Sequence, residues 1–578
     1  MKLAGRLRWA TVLAAFAWRV YHLGYQSLWR DEVDAIRFAR WPLPALLATF
    51  ARPGWNGPLY FFLLRQWMAL AGSGEFAVRF FSLLFGVLTV PLACVLGRKL
   101  LSSRVGLLAG LLAAFSPYLV WYSQEAKMYS LVTFLALLST YLYIAALERG
   151  GWGRWSAYVA VTGLCFYTHL LAALIVPAQA VLFLAWWPRY RARWRAWLAA
   201  LGCLTLPYLP LARWEIPLLL SPFETGHQFY PLSTILSVLF LAFSLGVAPG
   251  QGLLPLGLFA FLLLAGAGLD WGDLSERRRV ATLLLYLFVP IVGLYLISLG
   301  MPLFADRYLI YVAPAFYLLL ARGLVAVGRR SKAAFALCLA LLLLFDARSI
   351  WTQAHTKIKS DFRAAASYFA AHRGPDDVVI FLIPYVRHTF EYYYRGDYSW
   401  ADGPYTNGGM GEEEVAAILE GMTAGHGVVW LVASEEELWD ERGLVRGWLD
   451  ANAHLAAEVE FARVQLYRYL LIPQPQMLKV TVTSGPFKPA RGSPRRAQSS
   501  PSPSCAPSGL CGERSEDAYR PRLTRRQSSM ASMASSGNRP RILTTLALGT
   551  VRMALASTTE SRSRPAAWAS VEPWRTTK

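Results

Sequence analysis

Leu28-Trp29-Arg30-Asp31-Glu32-Val33-Asp34 places three carboxylates within four positions, directly after the first apolar segment of the chain. Ionisable groups beside hydrocarbon are costly unless they are paired or reached by water, so such groups usually line a cavity. The composition around it is that of a membrane protein. The 578 residues are 55% hydrophobic and 16% charged, with 14% aromatics and a positive mean hydropathy, a balance that fits a polytopic membrane protein better than a soluble globule. Apolar runs of about 17–22 residues recur, the length a helix needs to cross roughly 30 Å of hydrocarbon. They lack period-two alternation, which excludes a β-barrel.

Basic residues set the direction in which the segments run. Lys2, Arg6 and Arg8 place the N-terminus inside. The apolar run after them carries Arg19 and no small-residue cleavage site, so no cleavable signal peptide is expected. Residues 23–75 then lie outside, including an apolar helix over 59–70 that is too short to span and reads as interfacial or re-entrant. Further along, Arg98, Lys99 and Arg104, then Arg149 and Arg154, then Arg189 to Arg195, Arg277 to Arg279, and Arg329, Arg330 and Lys332 all return to the inner side. The run 232–246 breaks this alternation if it spans, and reads instead as a half-buried outer helix. The expected fold is an all-α polytopic membrane protein of about eleven transmembrane helices, with its C-terminal region outside the cytoplasm.

Residues 1–350 form this membrane domain. From 351 to 472 the pattern changes to alternating helices and strands: helices at 361–372 and 412–421, strands at 377–383 and 428–433, a helix at 434–452 capped by Ser434, and a strand or hairpin at 459–471. Alternation of this kind predicts a small extracytoplasmic α/β domain. It has no glycine-rich strand-to-helix loop and is not assigned a nucleotide. Residues 473–578, rich in Ser, Arg, Pro and Ala without sustained periodicity, are expected to be disordered. The tail holds 17 Lys and Arg against 5 Asp and Glu, which accounts for much of the net charge of +21. The charge therefore does not indicate nucleic acid. The six cysteines lie singly in apolar segments or in the tail and form no disulfide framework.

With this topology Asp31, Glu32, Asp34, Glu125, Lys127, His169, Asp306 and Arg307 all fall at the outer face. Each has an ordinary reading alone. Acids suit the start of a helix, Glu125 and Lys127 suit a loop, His169 suits a packed core, and Asp306-Arg307 suits a surface ion pair of little energetic weight. Together they suggest a polar active site or vestibule. Trp29, Trp55, Tyr60, Trp121 and Tyr122 read as an interfacial aromatic belt.

The runs Gly57-Pro58-Leu59-Tyr60, Glu75-Phe76-Ala77-Val78-Arg79-Phe80 and Tyr122-Ser123-Gln124-Glu125-Ala126-Lys127-Met128-Tyr129 resemble the GT-C glycosyltransferases. The likeness is greatest to the bacterial branch related to protein O-mannosyltransferases and lipid A aminoarabinose transferases. Tyr167-Thr168-His169 and Asp306-Arg307-Tyr308-Leu309 also look like landmarks of that family. The resemblance implies an integral membrane enzyme that takes a sugar from a polyprenyl-phosphate donor at the outer face of the bacterial cytoplasmic membrane. Asp31 matches the family's general base, Glu32 supports it, and Glu125 matches a second acid. Lys127 and Arg307 are implied donor-phosphate ligands, and His169 and Tyr122 further substrate contacts. Where the family commonly has a His or Lys ahead of a Pro-Pro-Leu-Tyr-like run, this chain has Asn56-Gly57, so Asn56 takes that place among the substrate-binding candidates.

The implied partners are the lipid-linked donor, a lipid, glycan or protein acceptor, and the bilayer. No cofactor is fixed by the sequence; a Mg²⁺ or Mn²⁺ ion held by carboxylates stays open, and structural zinc lacks a His/Cys set. A transporter or flippase of a lipid-linked or anionic solute is the alternative, although no internal repeat accompanies the charges. A membrane-anchored binding module built on 351–472 is the third reading, for which about eleven spans are excessive.

Overall fold

The computed structural model describes residues 2–50, 57–206, 209, 227–247, 253–268 and 273–471. Asn56 and the tail expected to be disordered lie outside the described residues. The described residues form one compact unit, helical through His355 and mixed α/β beyond it. The first helices are α1 (Lys2–Val20), α2 (Arg30–Arg40), α3 (Leu43–Phe50), α4 (Leu59–Ala71), α5 (Glu75–Leu100), α6 (Ser103–Phe115), α7 (Pro117–Ser123), α8 (Tyr129–Arg149) and α9 (Trp152–Phe166).

Among the described residues, five helices are long and apolar enough to cross a bilayer: α5, α8, Leu274–Ser298, Asp306–Arg330 and Lys332–His355. The number rises to 7 if each of two bent pairs counts as one span. The sequence reading of about eleven also counted α1, whose 19 residues include Lys2, Arg6, Arg8 and Arg19, and the 15-residue helices α9 and Leu253–Ala267, and took the bent pair Leu170–Ala185 and Trp187–Thr205 as two spans. Charge in the first and shortness in the other single helices leave them outside that set. The expected non-spanning helix at 59–70 is α4, with 13 residues, and the one at 232–246 is Leu232–Leu245, with 14.

The α6–α7 pair is bent by 58° at Ser116-Pro117. Pro117 has no N–H, so the carbonyl of Ala113 loses its helical partner. The buried guanidinium of Arg19 replaces it, donating to the carbonyls of Ala113 and Ala114 at 3.0 Å each and to Ser123 Oγ at 3.2 Å. Ser116 starts the second half by accepting the N–H of Leu119 at 3.1 Å. The charge inside α1 that disfavoured a signal peptide is thus the cap of a broken helix.

Elsewhere the membrane helices meet through small residues. A Cβ at Gly266 would lie 2.0 Å from the carbonyl oxygen of Leu319, and one at Gly323 2.0 Å from that of Leu262. The helices Leu253–Ala267 and Ala313–Arg330 therefore touch backbone to backbone, the arrangement that gives dispersion contacts where no hydrophobic effect operates between helices.

The α/β domain is a five-stranded sheet of order β2-β1-β3-β5-β4, with β1 Val378–Phe381, β2 Ser399–Asp402, β3 Val428–Ala433, β4 Ala453–Phe461 and β5 Val464–Leu471. β1 runs parallel to β2 and β3, while β3/β5 and β4/β5 are antiparallel. Both faces of β1 and β3 are covered, which explains their unbroken apolar runs. Phe362, Phe369 and Phe390 pack with Phe381 and Trp430 on one side; Leu419 and Leu449 pack with Ile380 and Leu431 on the other. Asp361 caps Phe362–His372 by accepting the N–H of Ala364 at 3.3 Å, as the predicted helix at 361–372 requires.

One expectation fails here. The helix predicted for 434–452 is only Leu444–Asn452, preceded by a short 3₁₀ turn. Glu435 adopts φ 54 and Gly443 φ 66, left-handed values through which no α-helix continues. The cap is Asp440, whose carboxylate accepts the N–H groups of Leu444 and Val445 at 3.0 and 2.9 Å. Ser434 does not cap it.

The Gly266–Gly323 crossing is directly testable. Gly266→Ala should lower the stability of the purified protein by about 1–3 kcal/mol, the usual range for overpacking. Gly257→Ala, in the same helix with nothing within 4 Å of the added carbon, should leave thermal unfolding in detergent unchanged. Equal behaviour of the two variants would refute the close approach.

Candidate active site

The acidic stretch begins α2. Trp29 precedes its first turn, where the exposed N–H groups of a helix favour negative charge, and Asp31 and Glu32 occupy that turn. The three acids have separate environments. Asp34 pairs within its own helix, 2.9 Å from Arg37 and 3.8 Å from Arg30. Glu32 is completely buried, and Asp31 is 6% exposed.

Glu32 is held by every neighbour in reach. Its Oε1 accepts from Arg79 Nε at 2.8 Å and from the N–H of Ala126 at 2.9 Å; its Oε2 accepts from Arg79 Nη2 at 2.7 Å and Lys359 Nζ at 3.0 Å. Burial alone would raise its pKa, but the charges of Arg79 and Lys359 hold it down to about 2. Arg79 is saturated in turn. Besides Glu32 it donates to the carbonyls of Leu23, Gln26 and Ser27 at 2.7–3.0 Å, so all five donors of the guanidinium are used.

Glu125 follows α7 and is 2% exposed. Its Oε1 lies 3.0 Å from Lys359 Nζ, while Oε2 is buried without a hydrogen-bond partner among the described residues. Burial pushes this carboxyl above the usual carboxylate range, against the pull of the Lys359 ammonium. Asp31 is 3.8 Å from Lys127 Nζ. The Trp29 ring faces two cations, with Arg307 at 5.8 Å and Lys359 at 6.0 Å from its centre.

The remaining landmarks close the site from the other side. Tyr122 donates its hydroxyl to Asp306 Oδ2, and Tyr118 to the carbonyl of Asp306, both at 3.0 Å. That fixes the turn which carries Arg307. His169 is buried among aromatic rings, 5.4 Å from Tyr308 and 6.4 Å from Tyr129. The loop before it meets the Gly57 turn: the N–H of Leu59 donates to the carbonyl of Tyr167 at 2.9 Å, and a Cβ at Gly57 would lie 2.0 Å from that oxygen. Tyr60 bonds Ser82 at 2.9 Å, and Ser82 donates to the carbonyl of Lys127 at 3.1 Å. Asp31, Glu32, Glu125, Lys127, Tyr122, Arg307 and His169 are thus gathered at one end of the helices. The basic residues Arg98, Lys99, Arg149, Arg329 and Arg330 stand at the opposite helix ends.

Two residues of the site were not foreseen. Arg79 lay inside a quoted run but carried no sign of its partner; a lone arginine in the second turn of a membrane helix was the available signal. Lys359 belongs to the segment between Lys332–His355 and the α/β domain, where its sequence neighbours give no indication. Among the described residues no three His, Cys, Asp or Glu side chains group to hold a metal ion. Between Glu32 and Glu125 the cationic position is taken by the Lys359 ammonium.

Chemically, the site offers one locked carboxylate, one half-held carboxylate with a buried open oxygen, one nearly buried acid beside a lysine, and an arginine over an indole. This is an arrangement for accepting a proton next to an anion-binding edge.

A family model described as dolichyl-phosphate-mannose-protein mannosyltransferase matches residues 52–214. No curated protein matches the chain in sequence. Among solved structures, ArnT from Cupriavidus metallidurans bound to undecaprenyl phosphate is 14% identical, with 80% of this chain and 97% of that chain covered and a TM-score of 0.52. The Archaeoglobus fulgidus oligosaccharyltransferase in its apo form is also 14% identical, with 68% of this chain and 63% of that chain covered and a TM-score of 0.42. The resemblance read from the sequence is therefore borne out, and the chain carries the fold of the GT-C glycosyltransferases.

Proposed function

We propose that the protein transfers a sugar from a polyprenyl-phosphate donor to an acceptor hydroxyl at the outer face of a bacterial cytoplasmic membrane. The observation that carries this reading is the convergence of Asp31 and Glu125 with Lys127 and Arg307 at one end of the helices. Two further observations support it. An apolar cavity of about 200 Å³, lined by Leu43, Leu47, Leu59, Phe62, Leu164 and Tyr167, lies against the same Tyr167 loop that leads to His169, and suits an isoprenoid chain. The ArnT structure with this fold is one bound to undecaprenyl phosphate.

In this mechanism Asp31 takes the proton of the acceptor hydroxyl as its oxygen attacks the anomeric carbon. The bond from that carbon to the lipid phosphate breaks, and Lys127 and Arg307 stabilise the departing phosphate through charge-assisted hydrogen bonds. A single displacement inverts the anomeric centre. Glu32, bound by Arg79 on both oxygens, orients the start of α2 and with it Asp31. The membrane topology of about eleven spans, N-terminus inside and α/β domain outside, belongs to the same reading.

Asp31→Asn keeps size and hydrogen bonding but removes proton acceptance, so turnover with a polyprenyl-phosphate sugar should fall at least about 10²-fold while donor affinity survives. Lys127→Met and Arg307→Met should instead weaken donor binding by about 1.5–3 kcal/mol each, the range for hydrogen bonds to charged groups. Near-normal turnover of Asp31→Asn would remove it as the base.

Because an ammonium bridges the two buried carboxylates, transfer in nanodiscs should survive EDTA unchanged. Loss with chelator and recovery with Mn²⁺ would contradict this. For topology, an alkaline phosphatase fusion after Leu471 should be active in cells and one after Arg104 inactive; the opposite pattern would move the site to the inner face.

A further inference from the structure

The Lys359 ammonium has no place in the mechanism above, yet it is the group on which two buried carboxylates meet. It is 3.0 Å from Glu32 Oε2 and 3.0 Å from Glu125 Oε1, with the ring of Trp121 at 5.2 Å and that of Trp29 at 6.0 Å. Glu32 already has a bidentate arginine. Lys359 serves both acids, and Glu125 has this ammonium as its contacting counter-charge. The lysine is also fixed from behind: the N–H groups of Ile358 and Lys359 donate to Gln26 Oε1 at 3.1 and 3.3 Å, and Gln26 Nε2 donates to the carbonyls of Gln353 and Thr356. The cation is held by the same loop that leads into α2.

We propose that Lys359 is a positioning residue: its ammonium supplies the fixed cation of the site, anchoring one oxygen of Glu125 as a carboxylate and leaving Oε2 open to accept a hydrogen bond from a substrate hydroxyl. The consequence for substrate rests on the glycosyltransferase reading; the charge relation between Lys359 and Glu125 does not. The groups that face Glu125 are Glu32 from α2, Tyr60 from α4, Tyr122 from α7, Arg307 from the turn before Ala313–Arg330, and Lys359 itself. Of the cations, Arg307 stands over Trp29, and Lys359 is in hydrogen-bond contact with the carboxylate.

The sign of the pH effect follows from burial. Glu125 already binds its proton more tightly in the fold than in the unfolded chain, so its contribution to stability falls as pH rises through the folded pKa. Removing a cation in contact with it moves that pKa further up, by about one unit or more for an opposite charge at this range. Lys359→Met should therefore unfold at progressively lower temperature than the parent as the pH is raised from 5 to 8.5. Lys359→Arg should restore the parent behaviour. Lys359→Met combined with Glu125→Gln should lose the added pH dependence and unfold later than Lys359→Met alone at pH 8.5.

The measurement is thermal unfolding of the full-length protein in nanodiscs across this pH range, alongside the pH profile of transfer from a polyprenyl-phosphate sugar. In the transfer profile, Lys359→Met should move the acid limb upward by about one pH unit. A loss of stability in Lys359→Met that is the same at every pH and is not relieved by Glu125→Gln would overturn the proposal. If Lys359→Met does not fold, folding of the double variant supports it and failure of both overturns it. Should the stability pattern hold while the parent protein moves no sugar from any polyprenyl-phosphate donor, the glycosyltransferase reading fails and the Lys359–Glu125 relation stands.

Discussion

The buried pair of Arg79 and Glu32 is the constraint on which the rest of the site depends. A charged guanidinium and a carboxylate without solvent contact are tolerated only when every donor and acceptor is met, and removal of one partner from such a pair typically costs about 3–5 kcal/mol. Here the five donors of Arg79 are met by Glu32 and three carbonyls of the segment before α2. The pair therefore fixes three things together: the start of α5, the path of the chain from Leu23 to Ser27, and the first turn of α2. Asp31 is placed by that turn, and the N–H of Ala126 ties the Glu125 loop to the same carboxylate.

The α/β domain is attached to this centre by polar contacts. Arg363 meets Glu75 and the carbonyls of Gly24 and Gln26, Tyr393 bonds Glu75 and the N–H of Leu28, and Arg30 lies 4.0 Å over the ring of Tyr385. Glu435, near Arg30 and Asp31, is pushed upward from the usual carboxylate range by burial. A module that reads in sequence as an appendage thus helps to wall the acidic end of the helices.

The sequence revealed most of what depends on periodicity and scarcity. Apolar runs located the membrane helices, and the rarity of Asp and Glu in those surroundings singled out Asp31, Glu32 and Glu125 before any contact was known. The hydrophobic blocks at 378–381 and 428–433 read as buried strands because both faces are covered. What stayed hidden depends on long-range pairing. Arg79 and Glu32 are 47 positions apart, Lys359 and Glu32 are 327, and no local pattern links them. The missed start of the helix that ends at Asn452 has a local cause, the left-handed residues Glu435 and Gly443; the glycine is a visible signal, but an ordinary glutamate gives no warning of that conformation. The number of spans was hardest to read because α1, α9 and Leu253–Ala267 are intermediate in length or charge.

Chain order adds a temporal dimension to the Lys359 bridge. A polypeptide emerges from the ribosome N-terminus first, so Glu32, Arg79 and Glu125 are synthesised long before Lys359. Arg79 can neutralise Glu32 as soon as α5 exists, and the early core can close around that pair. Glu125 must wait for a lysine that follows the last long apolar helix, Lys332–His355. During this interval it is cheapest for Glu125 to remain protonated or wet. The counter-charge in contact with Glu125 is thus the last part of the site to be synthesised, and the acidic site is electrostatically complete only in a chain whose long apolar helices have all been made.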